Sequence, residues 1–172
     1  MRILLDEEGL TWDEAWNITI NTISYTNHTI MTEAMETWPI EMLQKLLPRI
    51  YMIIDEINKR YETELYSKGY SQDKVNRMII LCNNQVRMAN LSIVGSHSVN
   101  GVAKLHTEIL KNEVLNDFYE YEPEKFNNKT NGIAHRRWLI SANPDLSAFI
   151  TRLIGDEWKK DQSKLVELEK YK

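Results

Sequence analysis

A proline at position 48 interrupts the strongest pattern in the chain. Leu43, Leu46, Leu47, Ile50, Ile53, Ile54 and Ile57 recur in steps of three and four, so they share one face of a helix that the spacing extends to about Tyr66. A proline ring clashes with the preceding turn and removes a backbone donor. The pattern therefore predicts one long helix kinked or split at Pro48, with an apolar stripe that must be covered. This sets the fold class as mainly α, and the rest of the chain leaves room for one or two short strands.

Other segments follow the same period. Trp12, Trp16, Ile20 and Ile23 form a helical face that fades near Tyr25, with Asp13 and Glu14 early, where the helix dipole favours anions. A further helix is expected from Thr32 or Glu33 to just before Pro39, because the residue preceding proline is pushed out of the α region. Gly69 reads as a left-handed C-cap and Ser71 as the next N-cap, opening a helix from Gln72 to Cys82. Leu91-Ser92-Ile93-Val94 is the best strand candidate. With the loop GSHSVNG and a helix from about Val102 to Lys111, it makes a βα unit, the place where α/β proteins present ligand groups. Residues 116–135 lack a helical period and hold Pro123, Gly132 and several Asn, as a loop or crossing segment does. Two short helices follow, the second carrying Leu146, Phe149, Ile150, Leu153 and Ile154 and ending near Gly155. The tail from Asp161 is mostly charged.

Composition excludes several classes. The net charge of −4 and pI of about 5.6 argue against a nucleic-acid-binding domain. The single Cys82 can form no internal disulfide and fits a reducing compartment. MRILLDEEG is no secretory h-region and no run approaches membrane-spanning length, so the expectation is a cytoplasmic protein with no membrane partner. GSHSVNG lacks the Gly-Lys-Ser/Thr ending of a phosphate loop. His97 and His106 do not have the spacing of a zinc helix, and no metal site is expected. KFNNKTNGIAHRRWL is locally basic with aromatics interleaved, as an RNA contact would be, but an Arg pair more often sits at a helix entry with its stems packed and its heads solvated, and the overall acidity favours that reading.

Two stretches set small hydrogen-bonding residues beside an indole: SYTNHTIMTEAMETWP and NNKTNGIAHRRWL. For TNHT, one reading is local: Asn27 or Thr29 accepts backbone N–H bonds ahead of Glu33. The other is a site for a polyhydroxylated ligand, since neutral imidazole offers a sugar hydroxyl both a donor and an acceptor.

The strings SYTNHTIMTEAMETWPIEMLQKLLPR, NLSIVGSHSVNGVAKLHTEILK and DFYEYEPEKFNNKTNGIAHRRWLISANP resemble consecutive blocks of the α-glucan phosphorylases, the family of glycogen, starch and maltodextrin phosphorylases. The resemblance runs in order from about Met1 to about Trp158. It implies an internal piece of a two-lobe α/β glycosyltransferase of the Rossmann-like GT-B type. Residues 1–131 would be the C-terminal part of the N-terminal lobe and 132–172 the first helices of the C-terminal lobe. It also implies a homo-oligomer that acts on α-1,4-glucan and inorganic phosphate, releases glucose 1-phosphate with retention, and relays a proton through the phosphate of pyridoxal phosphate. His28 matches the family histidine that bonds the 6-hydroxyl of the reacting glucose and whose carbonyl faces the developing positive charge. Asn131 matches the asparagine that bonds the same hydroxyl. Thr29, Glu33 and Ala34 match positions near the anomeric side, and Val102 an apolar contact to the ring. The family carries Leu-Pro where this chain has Met31-Thr32, and Thr-Pro where it has Ala134-His135. The Schiff-base lysine falls outside these residues, so the isolated chain is expected to lack phosphorolytic activity. The competing expectation is a non-catalytic helical remnant that binds partners or itself.

Overall fold

The computed structural model describes residues 1–172 and opens with two helices, α1 (Arg2–Asp6) and α2 (Trp12–Thr22). Thr11 and Glu14 form a reciprocal box at the start of α2, each side chain accepting the other's backbone N–H, which satisfies two donors that a helix start would orphan. The helix stops at Thr22, short of the expected Tyr25, because Ser24–Thr26 is drawn into a strand, β1. Thr32–Ala34 is a single 3₁₀ turn and Thr37–Pro39 a strand, β2, where a helix was expected. The correction has a cause outside the segment: β2 pairs antiparallel with residues 85–87, Pro39 opposite Gln85 and Thr37 opposite Arg87.

The apolar stripe divides at Pro48 into α3 (Ile40–Leu46) and α4 (Pro48–Ser67). Pro48 stands in the first turn of α4, where its missing N–H would have been unpaired in any case. Ile53, Ile54, Ile57, Tyr61 and Leu65 of α4 are buried. The helix ends on Gly69 at φ +80°, and Ser71 Oγ accepts the Lys74 N–H at 3.4 Å to cap α5 (Gln72–Met78). Expected to reach Cys82, α5 stops earlier because β3 (Leu81–Cys82) and β4 (Gln85–Arg87) form a hairpin. Its turn is Asn83-Asn84, at φ +50° and +59°, the left-handed pair that a two-residue hairpin loop requires.

Leu91–Val94 is helical, part of α6 (Met88–Val94), and the strand lies inside the supposed loop, as β5 (Ser98–Gly101). A short apolar run alone does not distinguish a buried strand from a buried helix face. The βα unit survives in shifted register. Helix α7 (Lys104–Ile109) follows β5 and continues through a π turn, Leu110–Val114. Residues 116–135, expected to be irregular, contain α8 (Asn116–Tyr121) and a strand, β6 (Phe126–Asn128), with Phe118 and Phe126 buried.

Two small sheets result: parallel β1-β5-β6, and antiparallel β2-β4-β3. With the helices dominant, the fold class is mainly α, as expected, with six short strands where one or two were expected. The chain divides into two compact units, Met1–Thr130 and Asn131–Lys172. The core of the first gathers Ile53, Leu65, Val75, Met78, Ile80, Val99 and Leu110. In the second, α9 (Pro144–Ile154) is capped by Asn143 Oδ1, which accepts the Leu146 N–H at 3.1 Å, and ends at Gly155 with φ +79°. Fully buried Trp158 donates its indole N–H to Thr151 Oγ1 at 3.2 Å. A π turn, Arg136–Ser141, stands where the first of the two short helices was expected, and the charged tail winds as a 3₁₀ helix, Gln162–Tyr171. No helix is long and apolar enough to cross a membrane.

Candidate functional site

Because β1, β5 and β6 run parallel, all three leave the sheet on the same edge. The carboxyl edge of a parallel sheet is where loops can meet around a ligand, since each strand delivers a new backbone turn there. The three exits are TNHT after Tyr25, Gly101-Val102, and Asn128 onward.

The exits are tied together by side chains. Asn27 is almost fully buried. Its N–H donates to the Asn100 carbonyl at 2.9 Å, and its Oδ1 accepts the Thr29 N–H at 3.0 Å. Thr29 Oγ1 in turn accepts the Met31 N–H at 3.1 Å. The local reading of Asn27 and Thr29 is therefore what the geometry realises, although no helix follows for them to cap. Their bonds fix the backbone on both sides of His28, and His28 itself is exposed. At the next strand Asn100 Oδ1 accepts from Thr26 Oγ1 at 2.9 Å, and its amide donates to the Gly101 carbonyl at 3.0 Å. The same Gly101 carbonyl accepts the Lys129 N–H at 3.1 Å, joining the exits of β5 and β6. Asn128 Oδ1 accepts from Thr107 Oγ1 at 3.0 Å while its amide donates to Thr130 Oγ1 at 2.8 Å. Val102, half-buried, donates its N–H to Nδ1 of His106 at 3.1 Å.

Of the residues singled out in the sequence, His28, Thr29 and Val102 come together on this edge of the first unit. Glu33 and Ala34 lie farther along, exposed in the 3₁₀ turn Thr32–Ala34. Asn131 is exposed and opens the second unit. The residues that hold the edge in shape, Asn100, Thr107 and Asn128, went unremarked in the sequence. Their signal was the polar strings SVNG and FNN, which are strand sequences only because a parallel neighbour completes their hydrogen bonds. The hollows of the fold lie elsewhere. One of about 390 Å³ is lined by Trp12, Trp16, Tyr61 and Tyr121, and a larger apolar groove of about 660 Å³ runs between α3, α4 and α6. Neither touches the strand exits, and a third hollow of about 460 Å³ reaches only Thr32, in the 3₁₀ turn that carries Glu33 and Ala34, so for His28, Thr29 and Val102 volume and hydrogen-bonding chemistry point to different places. The exits have the chemistry for a hydroxylated ligand: a free imidazole, amides held in fixed orientation, and an apolar contact at Val102.

No lysine is buried, and the least exposed, Lys125, Lys74 and Lys111, are paired with Glu122, with Glu120 and Asp117, and with Glu108.

The carbohydrate phosphorylase family model matches residues 1–172. The chain is 57% identical to the glycogen phosphorylase of Bacillus subtilis (strain 168), over 99% of its own length and 22% of that protein's. Against the muscle form of glycogen phosphorylase from Oryctolagus cuniculus the identity is 47%, covering 99% of this chain and 21% of the relative. The liver form from Bos taurus is 48% identical with the same coverage, 99% and 21%. The chain spans about a fifth of the length of the curated relatives it matches.

Proposed function

This chain belongs to the carbohydrate phosphorylase family, and from that premise we propose that it is part of an α-1,4-glucan phosphorylase, a glycosyltransferase that releases glucose 1-phosphate from glucan ends with inorganic phosphate. The observation that carries the reading is the family match across the whole chain. The shared carboxyl edge of β1, β5 and β6 supports the location of its sugar-binding part.

In this reading His28 is the catalytic contact: its imidazole meets the 6-hydroxyl of the reacting glucose and its carbonyl faces the charge that develops at the anomeric carbon. Asn131 bonds the same hydroxyl, Val102 packs on the ring, and Thr29, Glu33 and Ala34 stand toward the anomeric side. Each neutral hydrogen bond contributes about 0.5–1.5 kcal/mol net. The larger effect is selectivity, because a sugar lacking the hydroxyl would strand the site's own polar groups. The bonds from Asn27 and Thr29 give the wall its rigidity by fixing the backbone around His28. Residues 1–131 are assigned to the end of the N-terminal lobe and 132–172 to the start of the C-terminal lobe, and the unit boundary after Thr130 supports this.

Pyridoxal phosphate would supply acid–base chemistry in the whole protein. The lysines present here do not fit it, so this chain's contribution is binding and orientation. The whole protein is assigned to the cytoplasm as a homo-oligomer, with the free Cys82 suiting a reducing compartment.

Two measurements test the reading. Maltotriose titrated into the chain should shift the backbone resonances of His28 and Val102, and the chain alone should form no glucose 1-phosphate from maltodextrin and phosphate. Resonances that do not move at saturating sugar would remove the wall, and product formation would remove the claim that essential parts lie outside these residues. The second reading, a helical module that binds itself or a partner, is favoured by the apolar groove, where Leu46 and Leu47 are 65% and 50% exposed. Self-association without any sugar response would select it.

A further inference from the structure

The dipeptide Asn-Gly occurs twice in the chain, at Asn100-Gly101 and at Asn131-Gly132. Chemically the pairs are the same: a carboxamide followed by a residue with no side chain to shield its backbone nitrogen. That nitrogen can reach the neighbouring carboxamide carbon wherever the backbone is free to turn. The fold treats the two pairs differently.

Asn100 and Gly101 are buried in β5, with a parallel strand on either side. The Asn100 carboxamide is held at both ends. Its Oδ1 accepts from Thr26 Oγ1 at 2.9 Å and its amide donates to the Gly101 carbonyl at 3.0 Å. Thr107 closes the space around Gly101, its backbone N and Cα standing 3.0 Å from where a Cβ would lie. The nitrogen cannot turn toward the carboxamide without breaking this strand.

Asn131 and Gly132 are the reverse case. Residues 129–134 are all exposed and belong to no helix or strand. No hydrogen bond within the chain holds the Asn131 carboxamide or the Gly132 N–H. No atom lies within 4 Å of the place a Cβ on Gly132 would take. A residue that is to meet a sugar must stay open to water, so a wall contact at Asn131 carries this exposure by necessity.

We propose that Asn131-Gly132 is a self-modification site, at which the folded chain loses the Asn131 carboxamide by deamidation while Asn100 is kept. The Gly132 nitrogen, once hydroxide has taken its proton, attacks the side-chain carbonyl carbon of Asn131. The new C–N bond closes a five-membered succinimide, and the side-chain nitrogen leaves as ammonia. Water then opens the ring at either carbonyl, giving an aspartyl or an isoaspartyl residue, so one ammonia is lost for each water gained. Both products replace a group that can donate with a carboxylate that only accepts. The site itself needs no sugar, but its consequence rests on the reading of Asn131 as a partner of the 6-hydroxyl: the wall loses a donor and gains a negative charge.

The test is incubation of the folded chain in mildly alkaline buffer, followed by digestion and mass spectrometry, with a urea-unfolded sample alongside. The peptide holding Asn131 should gain about one mass unit and contain isoaspartate. The peptide holding Asn100 should stay unchanged in the folded chain and convert as fast as the other in urea. Gly132→Ala has room for its methyl group, so it should fold normally and slow the conversion severalfold by shielding the nitrogen. An Asn131 that persists in the folded chain while converting in urea would overturn the site. So would an Asn100 that converts as fast as Asn131 in the folded chain. Maltotriose, at a concentration that moves the His28 and Val102 resonances, should slow the conversion. The converted fraction, separated by its added charge, should bind maltotriose about threefold to tenfold more weakly, the size of one lost hydrogen bond. An unchanged rate with sugar bound, or native affinity in the converted fraction, would remove Asn131 from the wall and leave the modification site standing. Resonances that never move would remove the wall, with the mass shift still deciding the site.

Discussion

Gly101 shows how tightly single residues are specified at the strand exits. A methyl group there would overlap Oγ1 of Thr107 and crowd its backbone at 3.0 Å, so Gly101→Ala must drive α7 away from β5. Overpacking of this kind costs about 1–3 kcal/mol, expected as a lower urea midpoint with an unchanged slope. A variant as stable as the native chain would mean that the helix has more freedom than the close approach allows. At the same scale, the sequence was informative in two unequal ways. Asn27 and Thr29 could be read as local hydrogen-bonding residues from chemistry alone, and their side chains do accept backbone N–H groups two positions on. His28, lying between them, carries no such internal signature. It was singled out by family resemblance, because an exposed imidazole looks the same in sequence whether or not a sugar meets it. Asn58 shows the limit from the other side. Its Oδ1 accepts from both Ile80 and Leu81, at 2.9 and 3.0 Å, across a long sequence separation, and nothing near it in the chain announces that bond.

Elements whose stabilising contacts are local were legible, and those completed by distant pairing were not. The division at Pro48, the stop at Gly69, the cap at Ser71 and the end of α9 at Gly155 all follow from the residue's own backbone preferences. β1, β5 and β6 are short and polar, and they are strands because each finds a parallel partner far away in sequence. The β3–β4 hairpin was legible only in hindsight, from Asn83-Asn84. Both residues hold positive φ, which Asn and Gly tolerate and β-branched residues do not. Asn84→Gly should be neutral or slightly stabilising, whereas Asn84→Val should cost about 1–3 kcal/mol, measured by the same urea titration. Equal stability of the two would place the turn in another conformation. Between α4 and α8, Tyr121 donates its hydroxyl to Glu64 and accepts from Lys68 at 2.7 Å. Burial, reinforced by the Glu64 carboxylate and opposed by Lys68, pushes the Tyr121 phenol up to about 12, and burial raises Tyr61 as well. A phenol whose folded value lies above its ordinary one favours the fold in its protonated form. Its contribution is whole below pH of about 10 and is lost as pH climbs toward 12. Stability should therefore fall across that alkaline window, with tyrosinate absorbance appearing late for these two rings among the chain's eight tyrosines. If all eight titrated together at the ordinary value, the α4–α8 contact would be looser than described.

For the whole molecule, the stripe around Pro48 poses the problem that its sequence first announced. Ile53, Ile54 and Ile57 are buried in the first unit's core. Leu46, Leu47 and Met52 are left 65%, 50% and 58% exposed, and Leu43 and Ile50 line the groove of about 660 Å³ beside them. Apolar surface of this extent on a lone chain drives association, because water is released when it is covered. The net charge of −4 over 172 residues is too small to keep copies apart at physiological salt. The isolated chain should therefore self-associate as its concentration rises, and bind a hydrophobic dye while still folded. Leu46→Lys separates this cause from simple instability. Residue 46 is mostly in solvent, so the substitution removes little core packing, and its stability change should stay within about 0.5 kcal/mol. The added charges would repel across any groove-to-groove contact. Sedimentation equilibrium should then show a larger monomer fraction at unchanged urea midpoint. A native chain that stays monomeric at every concentration, or a Leu46→Lys variant that associates as before, would mean that the exposed end of the stripe does not drive assembly.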